Sequence, residues 1–322
     1  MNAPAIRVMT RRDIDLALRL FEVAGWGNTR ADVERILSYE PHGCFVAGVD
    51  GEDIGMVATT NYGPVAWIGN LIVAPESRGM DIGTALMRRA MDHLAASGAS
   101  SVRLDAVPKA IPLYRRLGFE AEYDSLRFIG EATKHGHAGI MPITPGDIPG
   151  IRALDTRFTG LDRKKILRRT LHEFPGLCFK AETGGRLVGY IMGREGSDSF
   201  KAGPWICEPG RGEAVDLLNA LMGEVADEGL WVGVPEGNVH SVKILQGLGF
   251  RQNASSLRMC YGDCRIIEDV MGIYGLGPGQ GLGAPYEDPA PDPHLRLLYA
   301  PSLHQDSHVV GHVGQVVACY GA

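Results

Sequence analysis

The sequence predicts an α/β protein with a mixed α+β sheet, built from two tandem copies of one fold and followed by a Gly/Pro-rich C-terminal tail. Two observations carry this reading: the chain repeats itself at a nearly constant offset, and each copy alternates strands with helices around an antiparallel hairpin. Ile6, Thr10, Asp13 and Ile14 recur as Ile140, Thr144, Asp147 and Ile148, 134 positions on, and Phe45, Ala47 and Gly55 recur as Phe179, Ala181 and Gly189. Leu117, Gly118, Phe119, Ser125, Leu126 and Arg127 return as Leu248, Gly249, Phe250, Ser256, Leu257 and Arg258, now 131 positions on. The second copy has therefore lost a net three residues between Gly55 and Leu117.

Each copy opens on a short strand, IRVMT or IMPIT, that runs into a Thr-x-x-Asp helix start. There the Thr side chain caps backbone donors and the Asp meets the positive helix end. Two helical stretches precede a hairpin with glycines at its turn. In the first copy a strand (AWIGNLIVAP), a glycine-bearing loop, a long helix, a strand (SVRLDAV), a short helix (PLYRRLG) and a closing strand follow. Ile82, Leu86, Ala90 and Leu94 give the long helix one apolar face, repeated by Leu217, Leu221 and Val225. These elements divide the chain into residues 1–133, residues 138–263 and a tail, 264–322, whose stretch LGPGQGLGAPYEDPAPDP reads as a linker. His304, His308 and His312 would share one face of a helix, but the glycines around them weaken any helix and no carboxylate stands at matched spacing, so no metal is assigned.

A length of 322 residues allows two ordinary cores, and 45% hydrophobic with 22% charged residues describes a globular chain. No run approaches the roughly 18 apolar residues of a membrane span, and the N-terminus lacks the pattern of a secretory signal. The expected compartment is the cytoplasm. Cys44, Cys178, Cys207, Cys260, Cys264 and Cys319 have no zinc-type spacing and read as free thiols. A formal charge of -6 without a basic patch argues against a nucleic-acid partner and suits a cationic amine.

The segment WIGNLIVAPESRGMDIGTALM joins an apolar strand through Arg-Gly-Met-Asp-Ile-Gly to the amphipathic helix. Amide groups freed at such a helix start receive phosphate, and glycine lets the phosphate approach. With the later AIPLYRRLGF segment, residues 5–128 resemble the GNAT acetyltransferase fold, whose pyrophosphate loop reads Q/R-x-x-G-x-G/A. The resemblance implies acetyl-CoA as cosubstrate, no metal, and an N-acetyl transfer to a small-molecule or protein amine by direct attack on the thioester. It places the cosubstrate on the backbone of Leu71, Ile72 and Val73 and on the loop Arg78, Gly79, Met80, Asp81, Ile82, Gly83 and Thr84, with Tyr114 as the acid that protonates the departing thiolate. Arg78 and Gly83 fit the pattern, whereas Asp81 stands where it has glycine and brings a carboxylate toward the phosphates. The Asn that many members carry at the SVRLDAV strand end is missing, so no contact is assigned there. The ammonium must also lose a proton, and Glu76, Asp105 and Tyr62 stand near the expected cleft, each with an ordinary solvated or structural explanation as well.

At the 131 offset Arg78, Ile82 and Tyr114 become Pro209, Glu213 and Leu245, which removes an amide, adds a charge that opposes phosphate and deletes the acid. Asn238 and the stretch after it keep the family's character. ALDTRFTGLDRKKILRRTL resembles the acetyltransferase-18 domain of tandem GNAT proteins, which implies that the second copy frames the acceptor site; Asp155, Asp162 and Arg163 are its candidate residues, with a solvated helix face as the ordinary reading. The competing functions are an acyl-CoA-binding sensor without turnover, which Asp81 favours, and a protein-interaction module.

Overall fold

A computed structural model describes residues 3–265 and 268–277. The first copy comprises β1 (Ala5–Val8), α1 (Ile14–Val23), α2 (Arg30–Tyr39), β2 (Phe45–Val49), β3 (Glu52–Asn61), β4 (Val65–Val73), α3 (Ile82–Ala96), β5 (Ser101–Ala106), α4 (Ile111–Arg116) and β6 (Glu120–Glu131). The second repeats this order with β7 (Ile140–Pro142), α5 (Ile148–Thr159), α6 (Lys164–Glu173), β8 (Cys178–Thr183), β9 (Arg186–Glu195), β10 (Phe200–Cys207), α7 (Glu213–Glu224), β11 (Gly229–Pro235), α8 (Val239–Gly247) and β12 (Arg251–Gly262). A short strand, β13 (Ile273–Gly275), follows.

Local chemistry sets these boundaries. The amides of Thr10 and Thr144 each donate to the Asp three residues on, at 2.7 Å, while the threonine side chains complete capping boxes. The hairpins turn at Asp50-Gly51 and Gly184-Gly185, all four in the left-handed region that a two-residue type I′ turn requires. Ile82, Leu86, Ala90 and Leu94 are all buried against the sheet, as the helical spacing predicts.

One mixed sheet runs through both copies in the order β1-β2-β3-β4-β5-β12-β6-β11-β10-β9-β8-β7. Its centre holds a feature that the order of elements does not announce. β12, the closing strand of the second copy, lies against β5 of the first, while β6 crosses to pair with β11 of the second. The exchanged strands meet antiparallel at Ser125 and Ser256, the two members of one repeat pair. Met259 is consequently part of the first copy's core and Phe128 of the second's. Both copies fall within one compact unit. Ion pairs bind α2 to the second copy, with Arg194 on Asp32 (2.9 Å) and Arg35 on Glu173 (2.7 Å).

Three expectations change. Cys260 and Cys264 form a disulfide, so they are not free thiols: the turn after β12 brings their Cα atoms to 5.9 Å. Cys44, Cys178 and Cys207 are free and buried, and Cys319 lies outside the described residues. Asp155 and Arg163 are fully buried rather than solvated, because each neutralises the other and Tyr190 also donates to the carboxylate. Asp162 is exposed and pairs with Arg152. The start of the expected tail is packed: Ile273, Tyr274 and Leu276, the last at the head of the stretch read as a linker, are buried, and β13 pairs with β10. The linker from 278 on and His304, His308 and His312 lie outside the described residues. Among those described, no helix is long and apolar enough to cross a membrane.

Candidate active site

β4 and β5 pair in parallel only from Val65–Ser101 to Trp67–Arg103 and then diverge. From Ile68 onward the β5-facing edge of β4 has no ladder partner, so its backbone groups face a notch. An unpaired strand edge of this kind accepts an extended chain carrying amide groups. Opposite Val57, the residues Asn70 and Leu71 form a bulge, with Asn70 at a left-handed φ of 52°. The notch opens into a cavity of about 430 Å³ lined by Trp26 after α1, by β4, by the start of α3, by Asp105 and Val107, and by α4.

The cavity gathers Leu71, Ile72, Val73, Arg78, Gly79, Asp81, Ile82, Gly83, Thr84 and Tyr114. Met80 is not among its lining residues and packs against the first copy's core instead. Arg78 Nε donates to the Val73 carbonyl at 3.1 Å, which ties the loop to the strand. Asp81 precedes α3 with φ 56°, and its side chain makes no capping bond. That backbone explains both the family's glycine here and its replacement, because Asp and Asn tolerate the left-handed region better than other side-chain residues. The amides of the α3 N-terminus are thereby left facing the cavity, where an anion gains from them and from the helix dipole. Lys109 and Arg116 add cationic side chains to the lining.

Tyr114 is buried on α4, with its ring edge-on to Phe119 at 5.9 Å. Burial pushes its phenol well above the ordinary value, so the hydroxyl is a neutral donor at physiological pH. The three base candidates separate. Glu76 is exposed in the turn before α3. Tyr62 packs with Tyr39, Trp67 and Leu161, and burial raises its phenol, which removes it as a base near neutral pH. Asp105 lines the cavity, but its carboxylate already receives two guanidinium groups and a hydroxyl. Sequence reasoning missed Trp26, Lys109, Arg116 and the bulge at Asn70. An Asn within the apolar run WIGNLIV was the one local signal of the bulge.

The corresponding notch of the second copy is closed. β10 and β11 likewise pair over only three residues, Phe200 to Ala202, before diverging. β13 then occupies the edge so exposed: Trp205 pairs with Gly275, Ile206 with Ile273, and the Leu276 amide donates to Gly233 on β11 at 2.7 Å. Tyr274 fills the space beneath, 5.2 Å from the Trp205 ring. At the former loop, Glu208 accepts from Arg186, Arg211 and Arg157, and Arg186, then Arg211, hold its carboxyl down to about 2. Leu245 is a buried core residue.

A splayed pair of parallel strands with a helix start beneath the gap suits an acyltransferase, and the comparisons with known proteins give that class. The family described as "Acetyltransferase (GNAT) family" matches residues 14–119, and an "Acetyltransferase (GNAT) domain" matches 151–275. The chain belongs to the GNAT acetyltransferase family, as a tandem member. It is 26% identical over 243 residues to a holothin acyltransferase from Pseudoalteromonas sp. (strain SANK 73390), covering 74% of this chain and 81% of that protein. A putative acetyltransferase from Pyrococcus horikoshii superposes with a TM-score of 0.75 at 25% identity, over 87% of this chain and 96% of that one. A tandem GNAT protein from the clavulanic acid biosynthesis pathway shares the fold with a TM-score of 0.58 at 15% identity, over 81% and 98%.

Proposed function

We propose that this chain moves an acetyl group from acetyl-CoA to a primary amine, with the chemistry confined to the first copy. The observation that carries the reading is the asymmetry of the two notches: one is open, apolar and bounded by a helix start and cationic side chains, whereas the other is filled by β13. In the open notch Leu71, Ile72 and Val73 would hold the pantetheine arm by their free edge, and residues 78–84 the pyrophosphate through backbone amides. Acetyl-CoA supplies a thioester carbonyl as acyl donor. Backbone donors of the bulged β4 would polarise that carbonyl, as an oxyanion hole does. Tyr114 Oη would give its proton to the sulfur as the C–S bond breaks and the amine nitrogen bonds to the acyl carbon. The proton shed by the ammonium would leave through water, since Glu76 and Tyr62 do not line the cavity and Asp105 is held as a hydrogen-bond acceptor by two guanidinium groups. The holothin acyltransferase relative favours a small-molecule amine over a protein as the acceptor.

Two measurements test this. Calorimetry is expected to give one acetyl-CoA per chain, and two equivalent sites would overturn the confinement to the first copy. Release of free CoA is expected to depend on a primary amine drawn from a panel; release that no amine accelerates would overturn the transferase reading in favour of binding alone.

A further inference from the structure

The repeat places Arg127 on β6 and Arg258 on β12 as mates across the exchanged strands, yet both serve one carboxylate. In the sheet Arg258 faces Asp105 on β5, and Arg127 faces Gly233 on β11. By strand register, Gly233 of the second copy stands where the first copy has Asp105. Arg127 turns instead to Asp105 of its own copy, whose Oδ2 lies 3.4 Å from its Nη2, and to Ser256 Oγ on the second copy's exchanged strand at 3.0 Å. Arg258 donates from Nε to Oδ1 at 2.6 Å and from Nη2 to Oδ2 at 3.3 Å. It is itself fixed from the other side, fully buried, with Nη1 on Glu268 (3.2 Å) and on Tyr123 Oη (2.8 Å) and its Cζ 4.5 Å from the Trp67 ring centroid. Two of these anchors, Tyr123 and Trp67, come from the first copy, and Glu268 from the segment that leads into β13.

We propose that Asp105 contacts the acceptor amine and that Arg258, supplied by the second copy, is its positioning residue. The proposal rests on the transferase reading of the first copy. The two carboxylate oxygens differ in the way it requires. Oδ1 is filled by two contacts, from Arg258 Nε and Ser125 Oγ (3.1 Å), whereas Oδ2 holds two contacts near the limit of hydrogen bonding. Oδ2 is thus the more loosely held oxygen, and Asp105, though its side chain is only 4% exposed, lines the same cavity as Tyr114. A charge-assisted bond from an amine N–H to Oδ2 aims the nitrogen lone pair into the notch, and the guanidinium fork keeps the carboxylate from turning away. The second copy thereby contributes to catalysis without binding cosubstrate: its exchanged strand completes the acceptor wall of the first.

The experiment compares the full chain with Asp105→Asn, Arg258→Lys and the double variant, using acetyl-CoA and the panel amine that the wild type acylates fastest. Asp105→Asn preserves shape, and Arg258→Lys preserves the buried charge while losing the fork. Each single variant is expected to raise KM for the amine about ten- to a hundredfold, the range of a hydrogen bond to a charged group. Acetyl-CoA affinity by calorimetry stays within about twofold. The double variant is expected to lose no more than Asp105→Asn alone, because Arg258 acts through Asp105. Unchanged amine KM in Asp105→Asn overturns the proposal. So do additive losses in the double variant, or an Arg258→Lys chain that loses acetyl-CoA affinity and thermal stability in step with amine KM, as a purely structural arginine would. A wild-type chain that acylates no amine overturns the transferase reading with it, whereas loss confined to the variants bears on Asp105 and Arg258 alone.

Discussion

Burial or backbone conformation sets the chemistry of Tyr114, Asp81 and Lys201. Burial holds the Tyr114 phenol further above its already neutral range, and Tyr114→Phe keeps the packing against Phe119 while removing the proton. The variant should lower kcat and kcat/KM together by about 10²- to 10⁴-fold, the usual worth of general acid assistance. Leu245→Ala, at the matching position, should lower the unfolding temperature and leave kcat per folded molecule in place. Asp81 occupies its left-handed position at little strain but brings negative charge beside the α3 N-terminus. Asp81→Gly is expected to tighten acetyl-CoA binding, most at low salt, while Asp81→Ala pairs loss of the charge with a strained backbone worth about 1 kcal/mol. Affinities of the two variants measured at low and high salt separate charge from strain. Lys201 is buried at the interface of the copies, and desolvation, followed by the nearby Arg194, lowers it from its ordinary 10.5 to about 8. The unfolded chain then binds more protons than the folded one between pH 8 and 10.5, so this lysine's contribution to stability rises with pH through that window. Urea unfolding at pH 8 and pH 10 should show the wild type gaining about 2 kcal/mol relative to Lys201→Met; equal shifts in both proteins would refute the assignment.

At the scale of single elements, most of the fold was legible because its causes are local. The Thr-x-x-Asp starts, the hairpin turns and the apolar face of α3 each depend on residues within a few positions of one another, and each stands where the spacing puts it. The loop from Arg78 to Thr84 was legible for the same reason. What escaped depends on partners far away in sequence. Ser125-Leu126-Arg127 and Ser256-Leu257-Arg258 carry one pattern, and a strand pattern says which face is buried but not which neighbour it joins. Asp105 looked like a candidate base because its arginine partner lies 153 positions away. β13 is a three-residue strand next to a Gly-rich stretch, too short to give a period. Its role predicts a measurable cost: Tyr274→Ala should destabilise the chain by about 3–5 kcal/mol, the range for a large buried aromatic side chain, and chemical denaturation would expose a smaller value.

The exchange of β6 and β12 should make the unfolding of the described structure a single event, since each copy's sheet is completed by a strand of the other. Calorimetric and van't Hoff enthalpies should therefore coincide, and far- and near-ultraviolet dichroism should follow one curve, whereas two resolved transitions would mean that each copy stands alone. The filled second notch bears on the stoichiometry of the whole chain. β13 is a tethered competitor: it is joined to the slot it fills, so its effective concentration is fixed by a short connection, in the millimolar range or above, and does not dilute. Free acyl-CoA would have to displace a ladder, a buried tyrosine and a buried leucine that are never further away than the connecting backbone allows. Rebuilding the pyrophosphate loop at Pro209 and Glu213 would supply the missing amide and remove the opposing carboxylate, yet the slot would still be taken. A chain repaired in this way should continue to titrate with one equivalent of acetyl-CoA, and a second equivalent should appear only when substitutions that dislodge Tyr274 and Leu276 are added to the repaired loop.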